Sequence, residues 1–297
     1  MCGYMVQILS LSGITRDLEE GLRSKCKADI VKPYTKIFPD GEQYLRLPDA
    51  LDQEIYVAQS LYPEQDRKIV ELYLAIEAVK GLDRKVKALI LPYVAYARQD
   101  KRFLVGEPIS INALYQGLKI YGVNTIVAID VHSPEAFSRL EFRLINILPH
   151  LFMAKYAESK IEFVVAPDKG ALHRAKIVAE GLGVGLDYLD KYRDRVTGEI
   201  RVNTKELDIY GKTVAIVDDI ISTGGTLAKA VDTLYSAGAK HIIAIVSHAF
   251  LSSKSIDNLE RVGLKELIIS NTIEQKISLP KWIKVIDISP LICPYIL

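Results

Sequence analysis

The segment Val214-Ala-Ile-Val-Asp-Asp-Ile-Ile-Ser-Thr-Gly-Gly-Thr226 carries the densest chemistry in the 297-residue chain. An apolar run delivers two adjacent carboxylates, Asp218 and Asp219, into a turn of small residues. Gly224 and Gly225 let the backbone approach an anion closely, while Ser222, Thr223 and Thr226 add hydroxyl donors. A helix starting here aims its free N–H groups and positive dipole end at the same point. Such a turn cradles a monophosphate, and the carboxylates beside it suit the two vicinal hydroxyls of a ribose. The competing interpretation is a tight turn with a capped helix and two solvated acids. No GxxxxGK string followed by Ser or Thr occurs, so a P-loop hydrolase is not indicated.

Other stretches hold groups of related use. In Phe38-Pro-Asp-Gly-Glu-Gln-Tyr-Leu-Arg46, Phe38 offers a flat apolar face to a base. Asp40 and Glu42 can accept from an exocyclic amine. Alternatively, Phe38 is a hydrophobic anchor beside a Pro-Asp-Gly turn. In Tyr93-Val-Ala-Tyr-Ala-Arg-Gln-Asp-Lys-Arg102, the planar guanidinium of Arg98 suits a triphosphate. Its alternative is a surface pair with Asp100. His132 follows an apolar run with Asp130 two residues before it. An imidazole there can ligate a divalent ion, with the carboxylate supporting it directly or through the ring, although a lone histidine is more often structural. His150, His173, His241 and His248 receive no role. Lys191, Arg193, Arg195 and Arg201 surround a Thr197-Gly198 turn and read as a mobile charged hairpin, with a solvated surface loop as the alternative.

These groups need a frame, and the apolar patterning supplies one. Val86–Pro92, Thr125–Asp130, Phe163–Asp168, Thr213–Asp218 and His241–Ser247 are short β-branched runs without alternation, as expected of parallel strands covered on both faces. Helix-period stretches lie between them at Asp66–Lys80, Ile109–Tyr121 and Thr226–Ala237, the last stopping at Gly238. Alternating strand and helix argues for an α/β fold with parallel sheets. A weak internal repeat, in which strands ending in Pro92 and Asp130 are followed by strands reaching Pro167 and Asp218, suggests two related halves. The boundary is expected near Leu148–Pro149, giving domains 1–148 and 149–283, with the segment 284–297 open to joining the first half. The irregular segments 33–48, 92–110 and 187–203 are where chemistry is expected, because ligands favour loops at the carboxyl ends of parallel strands.

Composition removes other classes. Hydrophobic residues make up 49% and charged residues 25%, so the chain is neither disordered nor low-complexity. The net charge of +1 disfavours general nucleic-acid binding. Three cysteines without a CxxC pair do not form a disulfide framework, and the chain reads as intracellular. No secretory signal or membrane-spanning segment is expected. Scarce Asn and Gln lean toward a thermophilic source.

With Gly106-Glu-Pro-Ile-Ser110, Asp130-Val-His-Ser133, Ala166-Pro-Asp-Lys-Gly170 and Lys191-Tyr-Arg193, the chain from about residue 35 onward resembles the ribose-phosphate pyrophosphokinase family, on the type I phosphoribosyltransferase fold. The resemblance implies two similar phosphoribosyltransferase-like domains, each a mainly parallel sheet flanked by helices. It implies that Phe38, Asp40, Glu42, Arg98, Gln99, Asp100 and His132 contact ATP, with Phe38 commonly reaching across a subunit interface. It places ribose 5-phosphate against Asp218, Asp219, Ser222, Thr223, Gly224, Gly225 and Thr226. Mg²⁺ is expected near His132, Asp168 and Asp130. Lys191 and Arg193 correspond to the catalytic-loop cations that close over the transferred group.

The implied reaction is in-line attack of the 1-hydroxyl of ribose 5-phosphate on the β-phosphorus of ATP, with AMP leaving. The implied partners are ATP, ribose 5-phosphate and further copies of the chain, with no nucleic acid and no membrane. Ser222, Gly224 and Pro39 depart from the residues common in bacterial and animal members, which leaves allosteric behaviour untransferred. A phosphoribosyltransferase consuming the same diphosphate, a silent regulatory subunit and a nucleic-acid-binding regulator are the rivals.

Overall fold

The computed structural model describes residues 6–193, 200–203 and 207–297. The chain divides into two compact units. One comprises 1–147, 271–274 and 287–297, and the other 148–270 and 275–286.

The first unit begins with β1 (Gln7–Ser10), α1 (Arg16–Lys25), β2 (Asp29–Val31), β3 (Tyr34–Ile37), β4 (Gln43–Arg46) and β5 (Glu54–Ala58). It continues through α2 (Gln65–Gly81), β6 (Lys85–Leu91), α3 (Ser110–Tyr115), β7 (Thr125–Ile129), α4 (Pro134–Arg139) and β8 (Arg143–Ile147). Among the described residues its main sheet has the order β2-β1-β5-β6-β7-β8, with every pair parallel. The segment 33–48 is an antiparallel hairpin of β3 and β4, not an open loop.

The second unit holds α5 (His150–Ala154), β9 (Phe163–Ala166), α6 (Leu172–Leu182), β10 (Gly185–Tyr188), β11 (Asp190–Arg193) and β12 (Ile200–Asn203). It continues with β13 (Thr213–Ile221), α7 (Gly225–Ser236), β14 (His241–Ala249), α8 (Ser253–Arg261), β15 (Glu266–Ser270) and β16 (Ile283–Ile286). Its parallel sheet runs β10-β9-β13-β14-β15-β16. The expected α/β class with two mainly parallel sheets is what the structure shows.

The continuous apolar runs become central strands for the reason anticipated. Val214–Val217 on β13 and Ile242–Val246 on β14 are fully buried, so both sheet faces are covered. One helix departs from its pattern. The stretch 109–121 forms α3 and then a 3₁₀ turn over Gln116–Tyr121. Tyr73 Oη donates to the Leu114 carbonyl at 2.5 Å, capturing an acceptor that a continuing α-helix would use for Leu118.

The first unit is completed by segments from far along the chain. Thr15 Oγ1 donates to the Asn271 carbonyl at 2.8 Å, and Ser60 Oγ to the Thr272 carbonyl at 2.7 Å. The strand Ile283–Ile286 stays in the second sheet, and the tail from Asp287 returns to end in α9 (Ser289–Ile296), which packs on α1. A Cβ on Gly21 would collide with Ser289 Oγ, so glycine permits this approach. Asp287 Oδ2 accepts from Lys25 Nζ at 2.6 Å and Ser289 Oγ at 2.9 Å, and Oδ1 accepts from Ser289 N–H at 2.9 Å and Asn271 Nδ2 at 3.0 Å. Burial opposes its ionisation, but these bonds prevail and hold its pKa below the usual carboxylate range.

Cys26 and Cys293 are disulfide-bonded. The cysteines therefore do form one bond, contrary to what their spacing suggested. A pair 267 positions apart carries no local signal and meets only because the tail returns.

Candidate active site

In the second unit, β13 carries Asp218 and Asp219 to the sheet's carboxyl edge, where ligand loops gather in open parallel folds. Ser222 and Thr223 are exposed just beyond it. Gly224 takes a positive φ of 76° and forms the N-cap of α7, so a side chain there would strain the turn that starts the helix. Gly225 and Thr226 occupy the first turn, half-buried. The strand, glycine turn and helix N-terminus predicted from residue types are thus built. A cavity of about 680 Å³ opens beside the turn and reaches Phe250, Ser252, Lys254 and Arg261 along α8.

The two acids differ. Asp219 is buried, and its Oδ2 lies 3.3 Å from Nη2 of Arg174 on α6, itself only 3% exposed. Asp218 is half-buried, and its Oδ1 accepts the Asp219 N–H at 2.9 Å. Burial pushes the Asp218 pKa well above the usual carboxylate value, and the charges of Asp219 and Asp168 add to the rise. Behind the strand, His150 Nε2 lies 3.0 Å from the Asp218 carbonyl and 3.1 Å from Ser247 Oγ. Asp168 follows the neighbouring strand β9, and its Oδ1 accepts from Gly170 N–H at 2.9 Å and Ala171 N–H at 3.2 Å, capping the turn into α6.

The acid crowding around Asp218 suits a cation. Among the described residues no three His, Cys, Asp or Glu side chains gather as a chelating set. Magnesium commonly takes one or two carboxylates and completes its shell with water and substrate phosphate. The donors present fit an ion of that kind.

Lys191 and Arg193 lie on β11, which pairs antiparallel with β12 to form the expected hairpin. Arg195, Thr197 and Gly198 lie outside the described residues.

In the first unit, Phe38 to Glu42 form the tip of the β3–β4 hairpin. Phe38 N–H donates to the Glu42 carbonyl at 2.8 Å, and Glu42 N–H donates to Asp40 Oδ1 at 3.2 Å. The Phe38 ring is 37% exposed, with Lys36 Nζ 4.6 Å from its centre and Tyr44 edge-on at 6.0 Å. It is therefore not a buried anchor. The hairpin is pinned to α2 by Gln43 Nε2, which donates to the Arg67 carbonyl at 3.0 Å.

Arg98 is exposed in the turn after β6. It does not pair with Asp100, whose Oδ2 accepts from Ser133 Oγ at 2.7 Å and whose carbonyl accepts from Arg139 at 2.9 Å. Gln99 Oε1 accepts from Ser110 Oγ. Asp130 is buried with a positive φ of 41°, and His132, two residues on, is exposed. The turn after β6 and the turn after β7 are thus tied together through Asp100 and Ser133.

The sequence did not single out Arg174 or assign His150 a use. Both act across elements, which no local pattern in the chain marks. Nor did it indicate the polar set in the first unit, where Glu71 accepts from the exposed Ser12 Oγ at 2.5 Å and from buried Gln59 Nε2 at 2.8 Å, and Lys68 Nζ reaches Ser12 Oγ.

Comparison with known proteins places both units. The family model described as the N-terminal domain of ribose phosphate pyrophosphokinase matches residues 6–122, and the phosphoribosyl transferase domain matches residues 140–282. A ribose-phosphate pyrophosphokinase of Sulfurisphaera tokodaii is 40% identical over 284 residues, covering 94% of this chain and 96% of that protein. One of Saccharolobus solfataricus is 41% identical over 263 residues, covering 87% and 90%. The crystal structure of phosphoribosylpyrophosphate synthetase from Mycobacterium smegmatis matches with a TM-score of 0.84 at 27% identity, covering 99% of this chain and 98% of that one.

Proposed function

The chain belongs to the ribose-phosphate pyrophosphokinase family, and we propose that it divides the substrates of that reaction between its units, with ribose 5-phosphate on the second and ATP on the first. The observation that carries this is the end of β13. A half-buried carboxylate near the end of the strand precedes a glycine turn with two exposed hydroxyl residues at the N-terminus of a twelve-residue helix. The turn from Ser222 to Thr226 holds the 5-phosphate through backbone N–H groups, hydroxyls and the helix dipole. The acid pair Asp218 and Asp219 lies on the side of the 2- and 3-hydroxyls.

In the first unit, Phe38 stacks on adenine while Asp40 and Glu42 accept from its amine. Arg98, Gln99 and Asp100 meet the triphosphate. The 1-hydroxyl of the sugar attacks the β-phosphorus in line, the bond from the α-phosphoryl oxygen breaks, and AMP departs. Lys191 and Arg193 neutralise the charge that develops on the transferred diphosphoryl group. Positioning and electrostatics carry most of such a transfer. Mg²⁺, when bound, neutralises phosphate oxygens and lowers the pKa of a bound hydroxyl. On the first unit His132 and Asp130, and on the second Asp168, are the residues that would hold such ions.

Among the described residues no helix is long and apolar enough to cross a membrane. We assign the enzyme to the cytoplasm, where its substrates arise, and to a self-associated state in which Phe38 serves a neighbouring copy. Nucleic acid has no part in this reading.

Phosphorus NMR of the protein with ATP, ribose 5-phosphate and Mg²⁺ tests it. Equal growth of AMP and 5-phosphoribosyl 1-diphosphate is expected. ADP in place of AMP would mean γ-phosphoryl transfer and end the proposed chemistry. ATP binding without turnover would favour a silent regulatory subunit.

A further inference from the structure

The acid pair of β13 is asymmetric, and its asymmetry is anchored in α6. The carboxyl groups of Asp218 and Asp219 interact with each other, yet their surroundings differ. Asp219 is buried and paired with Arg174 at 3.3 Å, while Asp218 is half-buried beside the glycine turn. A guanidinium is always charged, and at 3% exposure it needs an anion. The Asp219 carboxylate is therefore committed to Arg174.

The position of Arg174 adds to this. It lies in the first turn of α6, just after the turn that Asp168 caps at the end of β9. It thus ties the loop after β9 to the loop after β13, the two neighbouring strand ends at which the ligand groups of this unit gather. The Asp219 N–H in turn donates to Asp218 Oδ1 at 2.9 Å, so the residue held by Arg174 orients the acid that remains open.

We infer that Arg174 is a positioning residue for the sugar: it holds Asp219 as a strut, Asp219 fixes the carboxylate of Asp218, and Asp218 alone is the principal acceptor for the ribose hydroxyls. This rests on the reading of the second unit as the ribose 5-phosphate site and deepens it. The pair works as one acceptor and one brace rather than two equivalent acceptors. Recognition of the sugar is thereby coupled to α6, an element that does not touch it.

The test compares Arg174→Met, Arg174→Lys, Asp219→Asn, Asp218→Asn and the double variant Arg174→Met/Asp219→Asn by calorimetry with ribose 5-phosphate and by steady-state kinetics. Arg174→Met is expected to weaken ribose 5-phosphate binding about tenfold or more and to raise its KM in parallel, with KM for ATP changed less than about twofold, as for an interaction that acts through one neighbour. Arg174→Lys recovers part of the loss. Asp218→Asn loses more than Asp219→Asn.

The double variant removes both charges, so it leaves no unpaired ion in the core and keeps the fold testable where a single variant melts early. It is expected to bind no more weakly than either single variant. Wild-type affinity in a folded double variant, additive losses, or equal losses from the two aspartate substitutions would overturn the inference while leaving the site assignment standing. Failure of the wild-type protein itself to bind ribose 5-phosphate would overturn the site reading, and this inference with it.

Discussion

The two units lay out their sheets in the same order but end the same place in that order in different surroundings. β5 and β13 occupy equivalent positions, each beside the first strand of its unit. In the second unit β13 carries Asp218 and Asp219 and runs into a glycine turn whose Ser222 and Thr223 are exposed. In the first, β5 runs into Gln59 and Ser60, both essentially inaccessible. Gln59 Oε1 accepts the Gly13 N–H at 2.7 Å, and Ser60 holds the returning segment at Thr272. A side-chain amide thus fills in one unit the kind of backbone donor site that the other leaves open. A shared topology supplies the position, and a few side chains decide whether it stays open or is filled by the protein itself.

The hairpins repeat the contrast. β3–β4 is inserted between β2 and β5, and β11–β12 between β10 and β13. The first ends in an exposed aromatic ring, and the second carries Lys191 and Arg193. If the hairpins are specialised as proposed, Lys191→Ala or Arg193→Ala lowers kcat by roughly 10³-fold while KM for ATP stays within a few-fold, since the lost interaction forms in the transition state. Steady-state rates decide this, and a change confined to KM would erase the distinction.

The next effect concerns the first unit alone. Replacing Cys26 and Cys293 by serine, or adding dithiothreitol, is expected to remove about 2–4 kcal/mol of stability, because a cross-link over so long a loop restricts the unfolded chain most. Melting curves with and without reductant measure it. The serine variant should show no response to reductant.

Asp287→Asn in the same tail should destabilise by about 2 kcal/mol at neutral pH, since a charged acceptor of several hydrogen bonds is lost. The folded pKa of Asp287 is depressed. Its contribution is therefore present above the unfolded value near 3.9 and is lost as pH falls through the folded one. The gap between variant and wild type should close in acid.

Asp218 has the opposite sign. Its raised pKa means that its contribution is present below the ordinary carboxylate value and lost as pH rises through the folded one. Asp218→Asn should consequently raise stability at neutral pH by about 1 kcal/mol, read as a higher melting temperature, even as sugar binding is lost. Equal responses of the two carboxylates to pH would remove the contrast between a structural and a ligand-facing acid. Phe38→Ala should have the smallest effect, a several-fold rise in KM for ATP from about 1 kcal/mol of stacking, with kcat nearly unchanged.

Much of this was legible in the chain because the relevant physics is local. Buried parallel strands write themselves as unbroken apolar runs, and the glycine turn after Asp219 is specified by adjacent residues. The pairing of Arg174 with Asp219 was not legible, because it depends on which face of α6 meets β13. The capture of the Leu114 carbonyl by Tyr73 was equally hidden, since the donor lies on a different helix. The loop 33–48 became a hairpin because Tyr34–Ile37 and Gln43–Arg46 pair across a five-residue tip, a relation that its mixed composition masks.

The return of the tail has a consequence in time. A chain made from its N-terminus exposes residues 148–270 before Asn271–Glu274 and Asp287–Leu297 exist. The unit that begins first is thus finished last, and its α1 face waits with Gly21 and Cys26 uncovered while the other unit already has most of its strands. During synthesis, the nascent protein is a nearly complete second unit attached to an unfinished first one. The cross-link to Cys293 can form only when the order of manufacture has been reversed by the order of assembly.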